Sequence, residues 1–121
     1  MLMLISATER LTIRQLILAD GGFLLRLLND ESFLVNIGDK GVRNTDDAIN
    51  YLINGPLASY EQQGFGLYLV CLKINHTPIG MCGLLKRAEL EYPDLGFAFL
   101  PEYGGKGYAQ EAALAVLEES V

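Results

Sequence analysis

The segment Leu67–Leu72 contains six consecutive apolar residues and is bounded by Gly66 and Lys73. Its length suits a β-strand better than a helix, and its continuous hydrophobicity is typical of a strand covered on both faces. At 121 residues, the chain is shorter than most two-domain proteins. We therefore expect one domain, residues 1–121, in which a central sheet lies between two layers of helices.

The composition excludes several classes of protein. Hydrophobic residues make up 50% of the chain, which excludes an intrinsically disordered protein. The net charge of −6 opposes binding to a phosphate backbone, so we expect no nucleic-acid partner. No apolar stretch reaches the roughly 18 residues of a membrane span, and the start of the chain lacks the basic segment of a signal peptide. We expect no membrane association.

The cysteine and histidine content excludes two kinds of structural support. Two cysteines and one histidine are too few for a structural zinc site or a disulfide scaffold. We therefore expect no metal, and a protein that works in the reducing cytoplasm.

Three further strands are predicted from local patterns. Residues 10–14 alternate between polar and apolar side chains, which is the period of a half-buried strand. Asn75 and His76 both tolerate a positive φ and predict a two-residue hairpin turn. That turn leads into a strand over 78–85, and a fourth strand follows over 94–100.

The predicted hairpin also predicts the positions of the two thiols. In its register Cys71 lies opposite Gly80, and Cys82 lies opposite Leu69. The two sulfurs would then share one face of the sheet as diagonal neighbours about 7 to 8 Å apart. Because this separation is too long for an easy disulfide, we expect two buried and inert thiols.

Helices are predicted in three regions. Asp20 is expected to cap a first helix that ends near residue 29, and Asn44 or Thr45 to begin a second. Gly55-Pro56 is expected to break or kink the second helix before a short helical piece over 57–62. The last helix follows a glycine-rich segment. The order strand, helix, helix, three strands, helix predicts an α+β fold.

Three glycines and one lysine occupy residues 104–107, where the last predicted strand gives way to the last helix. Glycine lets a ligand approach the backbone, and the first turn of a helix offers unpaired N–H groups beside a positive dipole end. This combination suits an anion such as a phosphate. The alternative is a turn whose glycines only let the helix pack tightly on the strand.

Two well-known phosphate loops do not fit this segment. A Walker A loop requires Ser or Thr after the lysine, but Gly107 follows Lys106. The dinucleotide fingerprint can begin at Gly105 and Gly107, but Gln110 occupies its third glycine position.

The run Gly104-Gly105-Lys106-Gly107-Tyr108-Ala109 resembles the acyl-coenzyme A signature Gln/Arg-x-x-Gly-x-Gly/Ala of the GNAT superfamily of N-acetyltransferases. The similarity extends from about residue 9 to the end of the chain, and it is most like the ribosomal-protein N-acetyltransferase branch. The segments that carry it are residues 29–32, 44–48, 78–84, 95–99 and 101–103.

This resemblance implies a GNAT fold, in which a central, mostly antiparallel sheet is flanked by helices. It also implies acetyl-CoA as co-substrate and an amine as acceptor. In the family, the exposed edge of the fourth strand pairs with the pantetheine arm, and backbone amides of the signature hold the pyrophosphate. Carried onto this sequence, the main-chain contacts are Phe97, Ala98, Phe99 and Leu100, and the signature residues are Gly104, Gly105, Lys106, Gly107, Tyr108 and Ala109. The amine of a protein N-terminus or of a small molecule attacks the thioester directly, without a metal.

The sequence departs from the family pattern in two respects. Gly104 stands where Gln or Arg is usual. The family fold also continues after this helix with a strand, a helix and two more strands, so the resemblance implies that residues 1–121 carry its N-terminal portion. A catalytically inactive module that binds CoA or a partner protein is the alternative function.

Two expectations concern catalysis and assembly. Asp94 is the one candidate for a catalytic residue, acting through water as a base, and a solvated charge at the end of a strand is its other interpretation. A sheet that ends at the fourth strand has an open apolar edge, which favours pairing with a second copy. We therefore expect a homo-oligomer.

Overall fold

The computed structural model describes residues 3–86 and 91–119. Within these residues, five antiparallel strands form one sheet in the order β1-β2-β3-β4-β5, which is also their order along the chain. The strands are β1 (Leu4–Ala7), β2 (Leu11–Gln15), β3 (Leu67–Leu72), β4 (Pro78–Leu85) and β5 (Asp94–Phe99). The predicted antiparallel sheet is confirmed, and β5 lies at one of its edges.

Helices cover both faces of this sheet. They are α1 (Gly21–Leu28), α2 (Glu31–Asn36), α3 (Thr45–Leu52), α4 (Ala58–Gln63) and α5 (Tyr108–Glu119), and a 3-10 turn over Pro101–Tyr103 precedes α5. The longest of them, α5, has 12 residues. No helix among the described residues is long and apolar enough to cross a lipid bilayer.

Two hydrophobic clusters lie on opposite faces of the sheet. Leu69 packs with residues of α1 and α3, such as Leu24 and Leu52. Its neighbour Val70 points the other way and packs against Ala112 of α5. Because successive side chains of a strand point to opposite faces, this arrangement confirms that β3 is covered on both sides.

Two elements were absent from the sequence-based expectation. Strand β1 has four residues, and helix α2 has six, so neither is long enough for its periodicity to stand out. The start of α2 nevertheless has a local cause: the Asp30 side chain accepts a hydrogen bond from the amide of Ser32 at 2.9 Å.

The predicted hairpin register between β3 and β4 is wrong by one residue. The amide of Leu72 donates to the carbonyl of Thr77 at 2.9 Å, so the turn contains four residues, 73–76, rather than two. Of the two turn residues expected to have positive φ, His76 does, at 61°. A bulge between residues 70 and 71 then shifts the pairing by one residue, so that Val70 lies opposite Gly80. The longer turn alone would move the pairing by two residues and leave every side chain on its expected face, whereas the one-residue shift at the bulge reverses the faces.

The corrected register places the two thiols on opposite faces of the sheet. Cys71 belongs to the cluster under α1 and α3, and Cys82 to the cluster under α5. The expectation of a shared face is therefore wrong, whereas the expectation of burial is confirmed. Burial raises the pKa of the Cys71 thiol and raises the pKa of the Cys82 thiol to about 11, so both stay protonated and unreactive at neutral pH.

The second predicted helix does not break at Gly55-Pro56. The chain passes from α3 through a π-helical turn, Ile53–Leu57, directly into α4. The Asn44 side chain caps α3, as one of the two alternatives predicted, by accepting from the amide of Asp47 at 2.8 Å. At the far end, the Tyr60 hydroxyl donates to the Leu67 carbonyl and accepts from the Leu16 amide. These bonds fasten α4 to the end of β2 and the start of β3.

Asp20 precedes α1 as expected, but its side chain does not cap the helix. Its two carboxylate oxygens accept from the two terminal nitrogens of Arg14, each at 2.9 Å. One of them also accepts from the amide of Ile17 at 2.8 Å. A buried carboxylate is better stabilised by a cation than by a helix amide, and this ion pair joins β2 to the start of α1.

Candidate functional site

The glycine-rich loop between the 3-10 turn and α5 has a left-handed backbone at two positions. Gly105 has a φ of 73° and Gly107 a φ of 80°. A Cβ atom at Gly105 would meet nothing within 4 Å, and one at Gly107 would meet only a terminal nitrogen of Arg10 at 3.4 Å. These glycines are therefore required by the backbone conformation, and not by tight packing of the helix on a strand.

The backbone amides of this loop and of the first turn of α5 are available to a ligand. Among the described residues, the amides of residues 105–110 have no hydrogen-bond acceptor. The amide of Glu111 is the first in the helix with a partner, the Gly107 carbonyl at 3.0 Å. Six unpaired amides at the positive end of a helix dipole form a seat for an anion.

Gly104 differs from the signature residues that follow it. Its backbone is extended, and its amide donates to the Pro101 carbonyl at 3.0 Å. This amide is therefore engaged within the protein, and the seat begins at Gly105.

Arg10, the residue before β2, contacts the loop, which no sequence pattern predicted. Its Nε donates to Glu111 at 2.7 Å, and one terminal nitrogen donates to the carbonyl of Lys106 at 2.9 Å. Its guanidinium also lies over the ring of Tyr108, 4.4 Å from the centroid. No local pattern could reveal these contacts, because Arg10 and Lys106 are 96 residues apart in the chain.

Glu111 anchors this cluster as an ionised carboxylate. It accepts from the Thr8 hydroxyl at 2.5 Å and from the backbone amide of Arg10 at 3.0 Å, in addition to the Arg10 side chain. Burial acts to raise the pKa of this carboxyl, but the hydrogen bonds from Thr8 and Arg10 outweigh burial and hold the pKa below its usual value.

The edge of β5 offers a second set of backbone groups. Leu100 donates to the Ile79 carbonyl at 2.9 Å and accepts from the Tyr103 amide at 3.0 Å, so both of its groups are engaged. Hydrogen-bonded pairs alternate along an antiparallel ladder. Because Leu100 bonds to Ile79, Ala98, two residues earlier and opposite Met81, also exchanges backbone hydrogen bonds with β4. The backbone groups of Phe97 and Phe99 point away from β4. Among the described strands, β5 pairs only with β4.

A cleft runs along β5 from the glycine-rich loop. A cavity of about 370 Å³ lies between α2, β5 and the first residues of α5, with Phe33, Phe99 and Ala109 in its walls. A second cavity of about 290 Å³ shares Phe33 and Phe97 with the first and reaches Tyr51 in α3. Helix α2, which the sequence analysis missed, forms one wall of this cleft.

Asp94, Glu102 and His76 lie outside the walls of the two cavities. Asp94 is the first residue of β5, at the end of a six-residue strand about 17 Å long that is farthest from the loop. It lines neither of the two cavities. Glu102 forms an exposed ion pair with Arg26 at 2.6 Å. His76 lies in the exposed hairpin turn.

A sequence model of the family described as "Acetyltransferase (GNAT) domain" matches residues 10–120 of this chain. Among curated proteins, no significant match was found.

Solved structures with a similar fold include an acetyltransferase from Agrobacterium tumefaciens, with 25% identity and a TM-score of 0.76. A GNAT-family acetyltransferase from Bacillus anthracis has 28% identity and a TM-score of 0.74. A ribosomal-protein-alanine acetyltransferase from Vibrio fischeri, with 16% identity and a TM-score of 0.66, is similar in fold alone. The alignments cover 93%, 96% and 88% of this chain, and 64%, 64% and 61% of the respective neighbours. This chain spans less than two thirds of the length of each.

Proposed function

Since this chain belongs to the GNAT acetyltransferase family, we propose that it transfers an acetyl group from acetyl-CoA to the primary amine of a protein N-terminus or of a small molecule. The observation that carries the proposal is the seat of six unpaired amides, residues 105–110, at the mouth of the cleft along β5. A diphosphate needs several donors, and backbone amides supply them without the high conformational entropy of long side chains.

The chain's own groups fit the parts of acetyl-CoA in the order in which they occur along the cleft. The amides of Gly105, Lys106, Gly107, Tyr108 and Ala109 hold the pyrophosphate. The outward backbone groups of Phe97 and Phe99 exchange hydrogen bonds with the pantetheine arm. Phe33 and Phe99 line the apolar wall and exclude water from the arm.

The proposed transfer forms a C–N bond and breaks the C–S bond of the thioester. The attacking amine must lose a proton, and the departing thiolate must gain one. An outward amide of β5 is suited to donate to the thioester oxygen, where negative charge develops. Asp94, acting through water, is the proposed base, and the pantetheine arm would have to extend along β5 to bring the thioester near it.

We expect acetyl-CoA to bind this chain with micromolar affinity by isothermal titration calorimetry. Turnover is then measured by the release of CoA thiol in the presence of single primary amines and N-terminal peptides. The two cysteines of the protein are buried, so they contribute little background to a thiol reagent. Binding with release supports the enzyme, and binding without release for any amine supports the inactive module. A folded chain that does not bind acetyl-CoA would contradict both the enzyme and a module that binds CoA.

The open edge of β5 also leads to a prediction about assembly. We propose that a second copy pairs with this edge, where the outward groups of Phe97 and Phe99 are also the proposed contacts of the pantetheine arm. The two partners then exclude each other. Light scattering is expected to show a dimer or larger species that dissociates when acetyl-CoA saturates the chain. A monodisperse monomer contradicts the oligomer, and a dimer insensitive to acetyl-CoA contradicts the use of this edge.

A further inference from the structure

Arg10 contacts the glycine-rich loop although its side chain is 42% exposed, so burial of the side chain does not explain the contact. We infer that Arg10 is a positioning residue, which holds the peptide between Lys106 and Gly107 so that the Gly107 amide faces the bound phosphate. This inference rests on the proposed function, since it assigns a role in binding the diphosphate of acetyl-CoA.

The direction of the Gly107 amide follows from the contact of Arg10 with the preceding carbonyl. A terminal nitrogen of Arg10 lies 2.9 Å from the Lys106 oxygen. In a planar trans peptide, the C=O of one residue and the N–H of the next point in opposite directions. With the Lys106 oxygen turned toward Arg10, the Gly107 amide is turned away from Arg10.

The next peptide is held in a similar way by α5. The Gly107 oxygen accepts from the Glu111 amide at 3.0 Å, within the first turn of the helix. The N–H of Tyr108 therefore points out of the helix at its N-terminus. Two successive amides are thus aimed outward, one by Arg10 and one by the helix itself.

The loop needs such a restraint because its glycines allow the peptide to rotate. The peptide between residues 106 and 107 rotates about ψ of Lys106 and φ of Gly107, and Gly107, with a φ of 80°, has no Cβ atom to limit this φ. If the peptide between residues 106 and 107 reversed, the Lys106 oxygen would face the anion and repel it. Arg10 prevents this reversal before the ligand arrives, so less conformational entropy is lost on binding.

Arg10 is itself held in place on three sides. Glu111 accepts from its Nε and from its backbone amide, and the Tyr108 ring lies beneath its guanidinium. The planar guanidinium reaches Glu111 and the Lys106 oxygen at the same time, whereas the single ammonium of lysine has no such fixed fork. A lysine at this position is therefore expected to substitute poorly.

The test compares acetyl-CoA with S-acetylpantetheine, which lacks the diphosphate. Arg10→Gln is expected to lower the affinity for acetyl-CoA by about tenfold or more, with Arg10→Lys close to it, while the affinity for S-acetylpantetheine is unchanged. If the chain turns over, the KM for acetyl-CoA rises and kcat is retained. Arg43→Gln is the matched control, because Arg43 also pairs with a carboxylate, Asp39, outside the cleft.

A second measurement follows the Gly107 amide directly. In ¹H–¹⁵N spectra, inorganic pyrophosphate is expected to shift the Gly107 amide proton of the wild-type chain downfield, and to shift it far less in Arg10→Gln. The rest of the spectrum reports whether the variant is folded.

The outcomes separate this inference from the function on which it rests. If the wild-type chain binds acetyl-CoA and Arg10→Gln binds it equally well, with the same shift at Gly107, the role of Arg10 is overturned and the proposed function stands. If Arg10→Gln weakens both ligands equally, Arg10 is a general structural residue and the inference is also overturned. If the wild-type chain binds neither ligand, the proposed function fails and the inference with it.

Discussion

Gly107→Glu is expected to weaken acetyl-CoA binding by at least about 100-fold, because the substitution places a carboxylate on the phosphate seat. Each tenfold loss corresponds to about 1.4 kcal/mol, and placing like charges side by side costs several kcal/mol. The new Cβ would also lie 3.4 Å from a terminal nitrogen of Arg10, the residue proposed to hold this loop. Calorimetric titration of wild-type and variant chains measures the loss.

Gly41→Glu is the matched control for this substitution. Gly41 has a φ of 74°, close to the 80° of Gly107, and a Cβ there would also have open space around it. Both variants therefore carry a similar strain of about 1 kcal/mol in the folded state. Only Gly107→Glu is expected to lose binding. Equal losses in the two variants would show that strain, and not the seat, is responsible.

Asp20→Ala is expected to lower the free energy of unfolding by about 3–5 kcal/mol, since it leaves the Arg14 guanidinium in the protein without its carboxylate. The Arg14 side chain is 17% exposed and that of Asp20 only 8%. The hydrogen bond from Arg14 to Asp20 raises the pKa of the guanidinium, which stays charged at any accessible pH. The amide of Ile17 also loses its acceptor.

Urea denaturation followed by circular dichroism measures this effect. Asp39→Ala serves as control, because the Asp39–Arg43 pair is more than half exposed and its loss is expected to leave the midpoint nearly unchanged. The double variant Arg14→Leu/Asp20→Leu is expected to recover much of the stability, as apolar replacements remove the buried charges together. A midpoint for Asp20→Ala equal to that of Asp39→Ala would contradict the assignment of a stabilising buried pair.

Helix and strand positions were predictable where the pattern is long and local. The apolar run of β3 and the periodic apolar residues of α1 and α3 predict almost the full length that each element has in the structure. The π-helical turn at Pro56 was not predictable, because the chain there is held by neighbours such as Tyr60, whose partners Leu16 and Leu67 come from other elements. The short elements β1 and α2 offered too few residues for a period to emerge.

The glycine-rich loop illustrates how much of a site the sequence by itself determined. A left-handed backbone at Gly105 and Gly107, and free amides at the start of α5, are properties of adjacent residues. They depend on the absence of a Cβ atom and on the geometry of a helix end, and both can be deduced from residue types in order.

Only the tertiary structure decided which distant residues meet at that loop and which face each side chain takes. Arg10 reaches Lys106 across 96 residues because β2 and α5 pack together. Cys71 and Cys82 separate because a bulge between residues 70 and 71, beyond the four-residue turn, shifts the register of β3 and β4 by one residue. Such contacts follow from the packing and pairing of whole elements, where a shift of one residue changes every neighbour, and no local spacing encodes that choice.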